Sequence, residues 1–175
     1  MVFKIRSLDL WQFSASSVFF LDTNVLLDLH HPPSTGVDPV RADTYSNFIA
    51  RLRKSGCSLR ISSFNVQEAF HVVETLALKA YNDANNTDMK RKAFRKNFRS
   101  VTSIEQSSLW CQIKENYTIE DAVATKDMLE SFIKSYNQHY CDPIDYLLTE
   151  NHPSCAIITS DPDFSQDSSL SVFTF

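Results

Sequence analysis

The segment Ser17-Val-Phe-Phe-Leu-Asp22-Thr-Asn24 is the clearest indication of the fold class, because four consecutive apolar residues lead directly into an acid. A short apolar run of this kind is typical of a strand that is buried on both faces, as in a parallel sheet. An acid directly after such a strand is poorly placed for a purely structural task. We therefore expect Asp22 to lie at the carboxyl edge of a sheet, where α/β proteins bind their ligands.

The rest of the chain alternates between strand and helix patterns. We predict further strands at 59–62, 156–159 and 171–175, and helices at 39–54, 66–81, 118–138 and from Pro143 onward. Residues 1–13 fit either an edge strand or a dimer contact. The alternation predicts an α/β fold with a mainly parallel central sheet flanked by helices. Since no linker, repeat or low-complexity tract interrupts residues 1–175, we expect a single domain.

The composition excludes several classes of protein. With only two glycines among 175 residues, the chain cannot form a Gly-rich phosphate loop, which excludes P-loop and dinucleotide-binding proteins. No apolar stretch approaches the roughly 18 residues that a membrane-spanning helix needs. The four cysteines are scattered, without a Cys-x-x-Cys pair. This pattern predicts reduced thiols in a cytoplasmic protein, without a zinc knuckle.

Further acids recur where the predicted strands end or the predicted helices begin. They are Glu68 after the second strand, Asp142 and Asp145 at the start of the short helix, and Asp161 and Asp163 after 156–159. Together with Asp22, these positions face one edge of a parallel sheet. Carboxylates gathered there repel each other unless a cation neutralises them, and oxygen ligands suit Mg²⁺ or Mn²⁺. Such ions support hydrolysis of phosphodiesters.

Each of these later acids also has a purely structural explanation. Glu68 lies at capping-box spacing from Asn65, and Asp142 is a favourable N-cap ahead of Pro143. Asp145 could simply complement the helix dipole. Asp161 and Asp163 could be turn residues around a proline. It is their combination and order that favour a catalytic site.

Four motifs in this order resemble those of PIN-domain nucleases, particularly the VapC-type toxins. Phe20-Leu-Asp22-Thr23-Asn24 resembles the first motif of the family, and Ser62-Ser63 followed by Glu68 resembles the second. Asp142-Pro-Ile-Asp145-Tyr-Leu-Leu resembles the third, and Ile157-Ile-Thr159-Ser-Asp161-Pro-Asp163-Phe is similar to the fourth. The resemblance implies a PIN-like three-layer fold. It also implies a metal-dependent endoribonuclease that uses Mg²⁺ or Mn²⁺ and cuts RNA.

The resemblance also assigns roles to individual residues. Asp22, Glu68, Asp145 and Asp161 would be catalytic metal ligands, with Asp163 as an alternative or additional ligand. Thr23, Asn24, Asp142 and Thr159 would support them. The third motif departs from the family because Tyr146 and two leucines follow Asp145 instead of small residues, which leaves the choice between Asp142 and Asp145 open. A toxin–antitoxin or phage-defence setting, an antitoxin-like partner and a homodimer are further expectations of the resemblance.

A partly basic segment at about 82–117 is extra to a minimal toxin of this type, and we expect it to be a helical insertion. Residues 79–99 contain seven Lys or Arg and two Asp, a charge of +5 against −9 for the rest of the chain. RNA phosphates would contact Lys90, Arg91, Lys92, Arg95, Lys96 and Arg99. Phe94 and Phe98 would either stack on bases or fill the core, and an acidic antitoxin-like protein is an alternative ligand.

Other functions are alternatives to the hypothesis of a metal-dependent endoribonuclease. A phosphatase of the haloacid dehalogenase type needs a second Asp two positions after the first, where this chain has Asn24. A structure-specific DNA nuclease would use the same acids, and a non-catalytic PIN-like module that binds RNA or protein would not need them. Glu68-x-x-His71 is typical of di-iron sites only when it occurs twice. His30 and His31, next to prolines, are expected in an exposed loop.

Overall fold

Strands and helices alternate along the chain in a computed structural model that describes residues 1–5, 13, 15–31, 39–134, 143–153, 155–166 and 171–175. The strands are β1 (Val2–Lys4), β2 (Val18–Leu21), β3 (Ser58–Ser62), β4 (Thr118–Glu120), β5 (Ala156–Ile158) and β6 (Ser171–Thr174). The helices are α1 (Thr23–His30), α2 (Pro39–Lys54), α3 (Ser63–Asn85), α4 (Arg91–Asn116), α5 (Lys126–Lys134) and α6 (Pro143–Asn151), and a short 3₁₀ helix covers Asp163–Gln166.

The six strands form one sheet in the order β1-β6-β5-β2-β3-β4, and every pair is parallel. This confirms the predicted parallel sheet. Residues 1–13 contribute β1, an edge strand beside β6. Because β5, β2 and β3 are neighbours, the residues that follow Ile158, Leu21 and Ser62 meet at one edge. The topology thus places three of the four motifs side by side.

The side chains of β2 alternate between two cores, which makes the fold three-layered. Phe19 and Leu21 belong to the larger core, which also contains residues of α1, α2, α3 and α4. Phe20 faces the smaller core on the other side of the sheet, with Leu148 of α6 and Phe164 of the 3₁₀ helix. Phe19, Phe20 and Leu21 are thus buried on both faces of the sheet, as their sequence predicts, and Val18 is half-buried against the smaller core.

The predicted helix at 118–138 is wrong in its first third. Thr118–Glu120 forms β4 and pairs with β3, with Ile119 opposite Ile61. Extending the sheet by a β-branched strand outweighs the helical periodicity there. A helix follows only at Lys126. The end of the predicted helix, at 135–138, lies outside the described residues. Within the described ranges, none of the helices has the length and apolar character needed to cross a membrane.

Candidate active site

Asp22 lies directly after β2, and its carboxylate is held by side chains from two motifs. It is 3% exposed. The backbone N–H of Asp22 donates to the carbonyl of Ile158 at 3.0 Å, which fixes the residue against β5. The Thr159 hydroxyl donates to Asp22 Oδ2 at 2.7 Å. The exposed side chain of Asn24 approaches the same oxygen, with Nδ2 at 3.4 Å.

The environment of Asp22 disfavours its ionised form. Burial raises the pKa of Asp22 from its ordinary value of 3.8 to about 6. This value also includes the bond from the Thr159 hydroxyl, which lowers the pKa, and the negative charges of Glu68 and Asp161, which raise it. These two acids therefore lie within electrostatic range of Asp22, as the sheet topology predicts. A cation at this edge would relieve all three charges.

Glu68 lies in the second turn of α3, and the structure excludes it as the helix cap. The capping box is formed by Ser62 and Asn65, since the Ser62 hydroxyl accepts the Asn65 N–H at 3.2 Å. Glu68 instead accepts a hydrogen bond from the Thr23 hydroxyl, whose oxygen lies 2.5 Å from its Oε2. Asn65 Nδ2 donates to the same Thr23 oxygen at 3.1 Å. Thr23 thus joins the first and second motifs directly.

The fourth motif is ordered by backbone hydrogen bonds to its own side chains. The N–H of Asp161 donates to the Thr159 hydroxyl oxygen at 2.8 Å, so Thr159 contacts both Asp22 and the chain at Asp161. The N–H of Asp163 donates to Asp161 Oδ1 at 2.8 Å. Both are interactions within a turn, as expected if Asp161 and Asp163 are turn residues around Pro162. They also hold the Asp161 carboxylate beside the site, and Asp163 begins the 3₁₀ helix.

The third motif is placed only in part. Asp145 is buried in the first turn of α6, a helix that packs against α3, which carries Glu68. Asp142 lies outside the described residues. A role of Asp145 in the acidic site, and the choice between it and Asp142, therefore stay predictions.

The oxygen ligands at this edge suit a hard cation, although they are not drawn together into coordination. Among the described residues, no three acidic, histidine or cysteine side chains lie close enough to form a ready-made metal site. Asp22 is nevertheless buried, with two acids acting on it. Carboxylate oxygens are the ligands that Mg²⁺ and Mn²⁺ prefer. The donor set thus fits such an ion.

Half of the predicted nucleic-acid contacts already have protein partners. Arg95 forms a double hydrogen bond with Glu74 of α3, at 2.5 and 2.7 Å. Arg91 donates to His71 Nε2 and to the Thr75 hydroxyl, and Lys90 pairs with Asp88. The side chains of Lys92, Lys96 and Arg99 are exposed. The basic face of α4 that remains for a ligand is therefore narrower than the sequence predicts.

The phenylalanines of this segment pack within the protein. Phe94 is 2% exposed and lies against Tyr81 and Phe98. This supports the core alternative over base stacking for Phe94. Farther along α4, Leu109 and Ile113 belong to the main core. The segment predicted as an insertion thus shares the core of the fold.

Two features of α1 were not predicted from the sequence. His30 is not in an exposed loop but ends α1, where its ring contacts the Gln112 side chain and the Tyr117 hydroxyl, both at 2.8 Å. Asp28 of α1 is 3% exposed and pairs with Arg41 of α2. An acid within the apolar run Val25-Leu-Leu-Asp28-Leu is the signal that would have indicated a buried ion pair.

Comparison with known proteins supports the fold. No protein-family model and no curated protein matches this chain. A chain from the crystal structure of VapBC2 from Rickettsia felis bound to a DNA fragment from their promoter is 16% identical, with a TM-score of 0.52 over 89% of this chain and 96% of that chain. The crystal structure of PAE2754 from Pyrobaculum aerophilum is 10% identical, with a TM-score of 0.47 over 95% of this chain and 89% of that chain. The first likeness shows that this chain shares the fold of that protein.

Proposed function

We propose that this chain, which has the PIN-like α/β fold, is a metal-dependent endoribonuclease that hydrolyses phosphodiester bonds of RNA. The observation that carries the proposal is the acidic edge of the sheet, where the charges of Glu68 and Asp161 act on the buried Asp22. A protein maintains a buried acid with a raised pKa at a cost in stability, and such groups are concentrated at functional sites. The four motifs that resemble PIN-domain nucleases supply the same acids.

The proposed ligands of Mg²⁺ or Mn²⁺ are Asp22, Glu68, Asp145 and Asp161, with Asp163 as an alternative to Asp161. When bound, the ion would supply an activated water and stabilise negative charge on the scissile phosphate. We place Asp142 at the start of α6 as a supporting residue.

The chain's own residues prepare the site for this chemistry. Thr159 directs one hydrogen bond to Asp22 and accepts another from the backbone of Asp161, so it fixes the distance between the two. Thr23 fixes Glu68 in the same way, and Asn65 orients Thr23. Asn24 is exposed next to Asp22 and is therefore placed to donate to the substrate. Preorganisation of this kind lets the acids keep their geometry while charge develops on the phosphate.

RNA is the proposed substrate because of the resemblance to VapC-type toxins and because α4 carries exposed Lys and Arg side chains. Lys92, Lys96 and Arg99 would contact phosphates directly, whereas Lys90, Arg91 and Arg95 would have to exchange or share their present partners. The same resemblance supports a role as the toxin of a toxin–antitoxin or phage-defence module in the cytoplasm. Its protein partner would be an antitoxin, and the toxin would form a homodimer.

The test is cleavage of labelled structured RNA, with single- and double-stranded DNA in parallel, in the presence of Mg²⁺, Mn²⁺ or EDTA. We expect metal-dependent cutting of RNA by the wild type, loss of cutting in Asp22→Asn, and normal cutting by Asp83→Asn, which changes an exposed acid at the far end of α3. Preferential cutting of DNA would favour the DNA nuclease. Binding of RNA or of a protein without cutting would favour the non-catalytic module, and cutting by Asp22→Asn at the normal rate would refute the site.

A further inference from the structure

A pocket that borders the acidic site at Asn24 and Asp161 contains an arginine as well as acids. The pocket has a volume of about 440 Å³ and is lined by Asn24 and Asp161, which belong to the first and fourth motifs. Arg41 and Asp28 line the same pocket, and Val72 and Leu76 of α3 give it an apolar wall. Among the described residues of this lining, Arg41 is the only basic one. A site that only binds metal through its acids does not explain the presence of this arginine.

The Arg41 side chain is fixed in position by a buried acid. Its Nε lies 2.7 Å from Asp28 Oδ2, and its Nη2 donates to Oδ1 at 2.9 Å. The Nη2 contact is a hydrogen bond, whereas Nε and Oδ2 are buried against each other as a charge pair that is not hydrogen-bonded. The guanidinium has five N–H groups, so several remain for another acceptor. The Arg41 side chain is 32% exposed whereas that of Asp28 is 3% exposed. The acid is thus inside the protein, and the arginine reaches the pocket surface.

This pair is difficult to explain by stability alone. Burial raises the pKa of Asp28 even though the contact with Arg41 opposes that effect. Burying an acid in this way costs free energy, and buried ion pairs frequently contribute little net stability. A carboxylate that orients a guanidinium for bidentate contact with a phosphate explains why the pair is kept.

We propose that Arg41 forms a phosphate-binding subsite next to the metal-binding acids and holds a phosphodiester of the RNA strand adjacent to the one that is cut. Asp28 is the positioning residue that orients Arg41. The inference rests on the proposed nuclease function and deepens it. It places the RNA backbone across the pocket between α1, α2 and the loop after β5, with Asn24 and Asp161 at its inner end. The basic face of α4 would contact more distant phosphates.

The experiment compares Arg41→Gln with Lys54→Gln, which removes the same charge from the exposed far end of α2. Binding of a fluorescent single-stranded RNA is measured in the Asp22→Asn background, so that no cutting occurs, and kcat/KM is measured in the cleaving protein. We expect Arg41→Gln to weaken binding about tenfold or more, since a charge-assisted contact to phosphate is lost. The slope of log K against log salt should fall by about 0.7, the value for one phosphate contact to a single strand. Lys54→Gln should change neither quantity.

Two further variants separate orientation from charge. Asp28→Asn keeps the charge of Arg41 but loosens its orientation, so affinity should fall severalfold while the salt slope stays unchanged. Arg41→Lys keeps the charge and the alkyl stem, and its RNA binding is measured in place of that of Arg41→Gln if the latter fails to fold. If RNA is cut but both Arg41 variants bind like Lys54→Gln, the subsite is refuted and the nuclease stands. If the wild type neither binds nor cuts RNA, the proposed function fails and the subsite fails with it.

Discussion

Replacement of Asp22 by Asn should make the metal-free protein more stable at neutral pH while abolishing its activity. The Asp22 carboxyl titrates near 3.8 in an unfolded chain, and burial raises its pKa to about 6 in the folded protein. Between these two values the folded state binds more protons than the unfolded state, so the free energy of unfolding falls as the pH rises. Above pH 6 the burial of the ionised carboxylate lowers the free energy of unfolding by its full amount, and below pH 3.8 this decrease is absent.

The size of the effect follows from the same two values. The difference between 3.8 and about 6 corresponds to about 3 kcal/mol at pH 7.5. Asparagine carries no charge, and its side-chain oxygen can still accept the bond from the Thr159 hydroxyl, so most of this cost should be recovered. For a chain of this length, about 3 kcal/mol corresponds to a rise in melting temperature of roughly 6–12 °C. This figure is the upper bound, since the amide must also find an acceptor for its N–H groups.

The assay is thermal unfolding by circular dichroism in EDTA at pH 7.5 and pH 4, with Asp83→Asn as the control for an exposed acid. We expect Asp22→Asn to melt above the wild type at pH 7.5, and most of that gain to be absent at pH 4. Added Mg²⁺ or Mn²⁺ should stabilise the wild type and leave the variant unchanged, because the ion would bind only to the intact acid. A variant that melts at or below the wild type at pH 7.5 would show that the buried Asp22 carboxylate does not destabilise the metal-free protein.

Three other variants test the remaining structure. Thr159→Val removes the hydroxyl that lowers the pKa of Asp22, so the acidic limb of the pH–rate profile should move to higher pH, and an unmoved limb would contradict the role of Thr159. Arg95→Ala should lower the melting temperature at pH 7, because Arg95 holds the pKa of the buried Glu74 below its usual range. This decrease in melting temperature should disappear at low pH, where Glu74 is protonated. An unchanged melting temperature at pH 7 would indicate that Arg95 does not stabilise the fold and is available to bind a ligand. Phe94→Ala should cost about 3–5 kcal/mol in chemical denaturation, as for a large core side chain, whereas a cost below about 1 kcal/mol would show that the ring packs loosely.

Patterns confined to short stretches of sequence predicted the fold well. The run Val18-Phe-Phe-Leu is buried on both sides because each of its residues faces one of two cores, and the helix predicted at 39–54 is present as Pro39–Lys54. The error at Thr118–Glu120 has a different origin. Residues Thr118–Glu120 form a strand because they can pair with the outer edge of β3. That strand lies about 60 positions earlier in the chain, so a local pattern cannot indicate the pairing.

Within the candidate site, the sequence indicated the acids but not the contacts between motifs. Thr23 was expected to support the acids, yet its bond to Glu68 spans 45 positions and depends on the pairing of β2 with β3. The pairing of Asp28 with Arg41 depends on how α1 packs against α2. A sequence pattern cannot specify such packing. The assignments of Asp22, Glu68, Asp145, Asp161 and Asp163 as metal ligands all stay predictions.

The two outer strands of the sheet have a consequence for self-association. Both β1 and β4 are only three residues long. Edges as short as these offer few unpaired backbone groups to another chain, which is one way in which proteins avoid aggregation through strand addition. Two copies would therefore gain little by joining their sheets into a continuous one. The faces of the helical layers are therefore a better surface than the sheet edges for any contact between two copies.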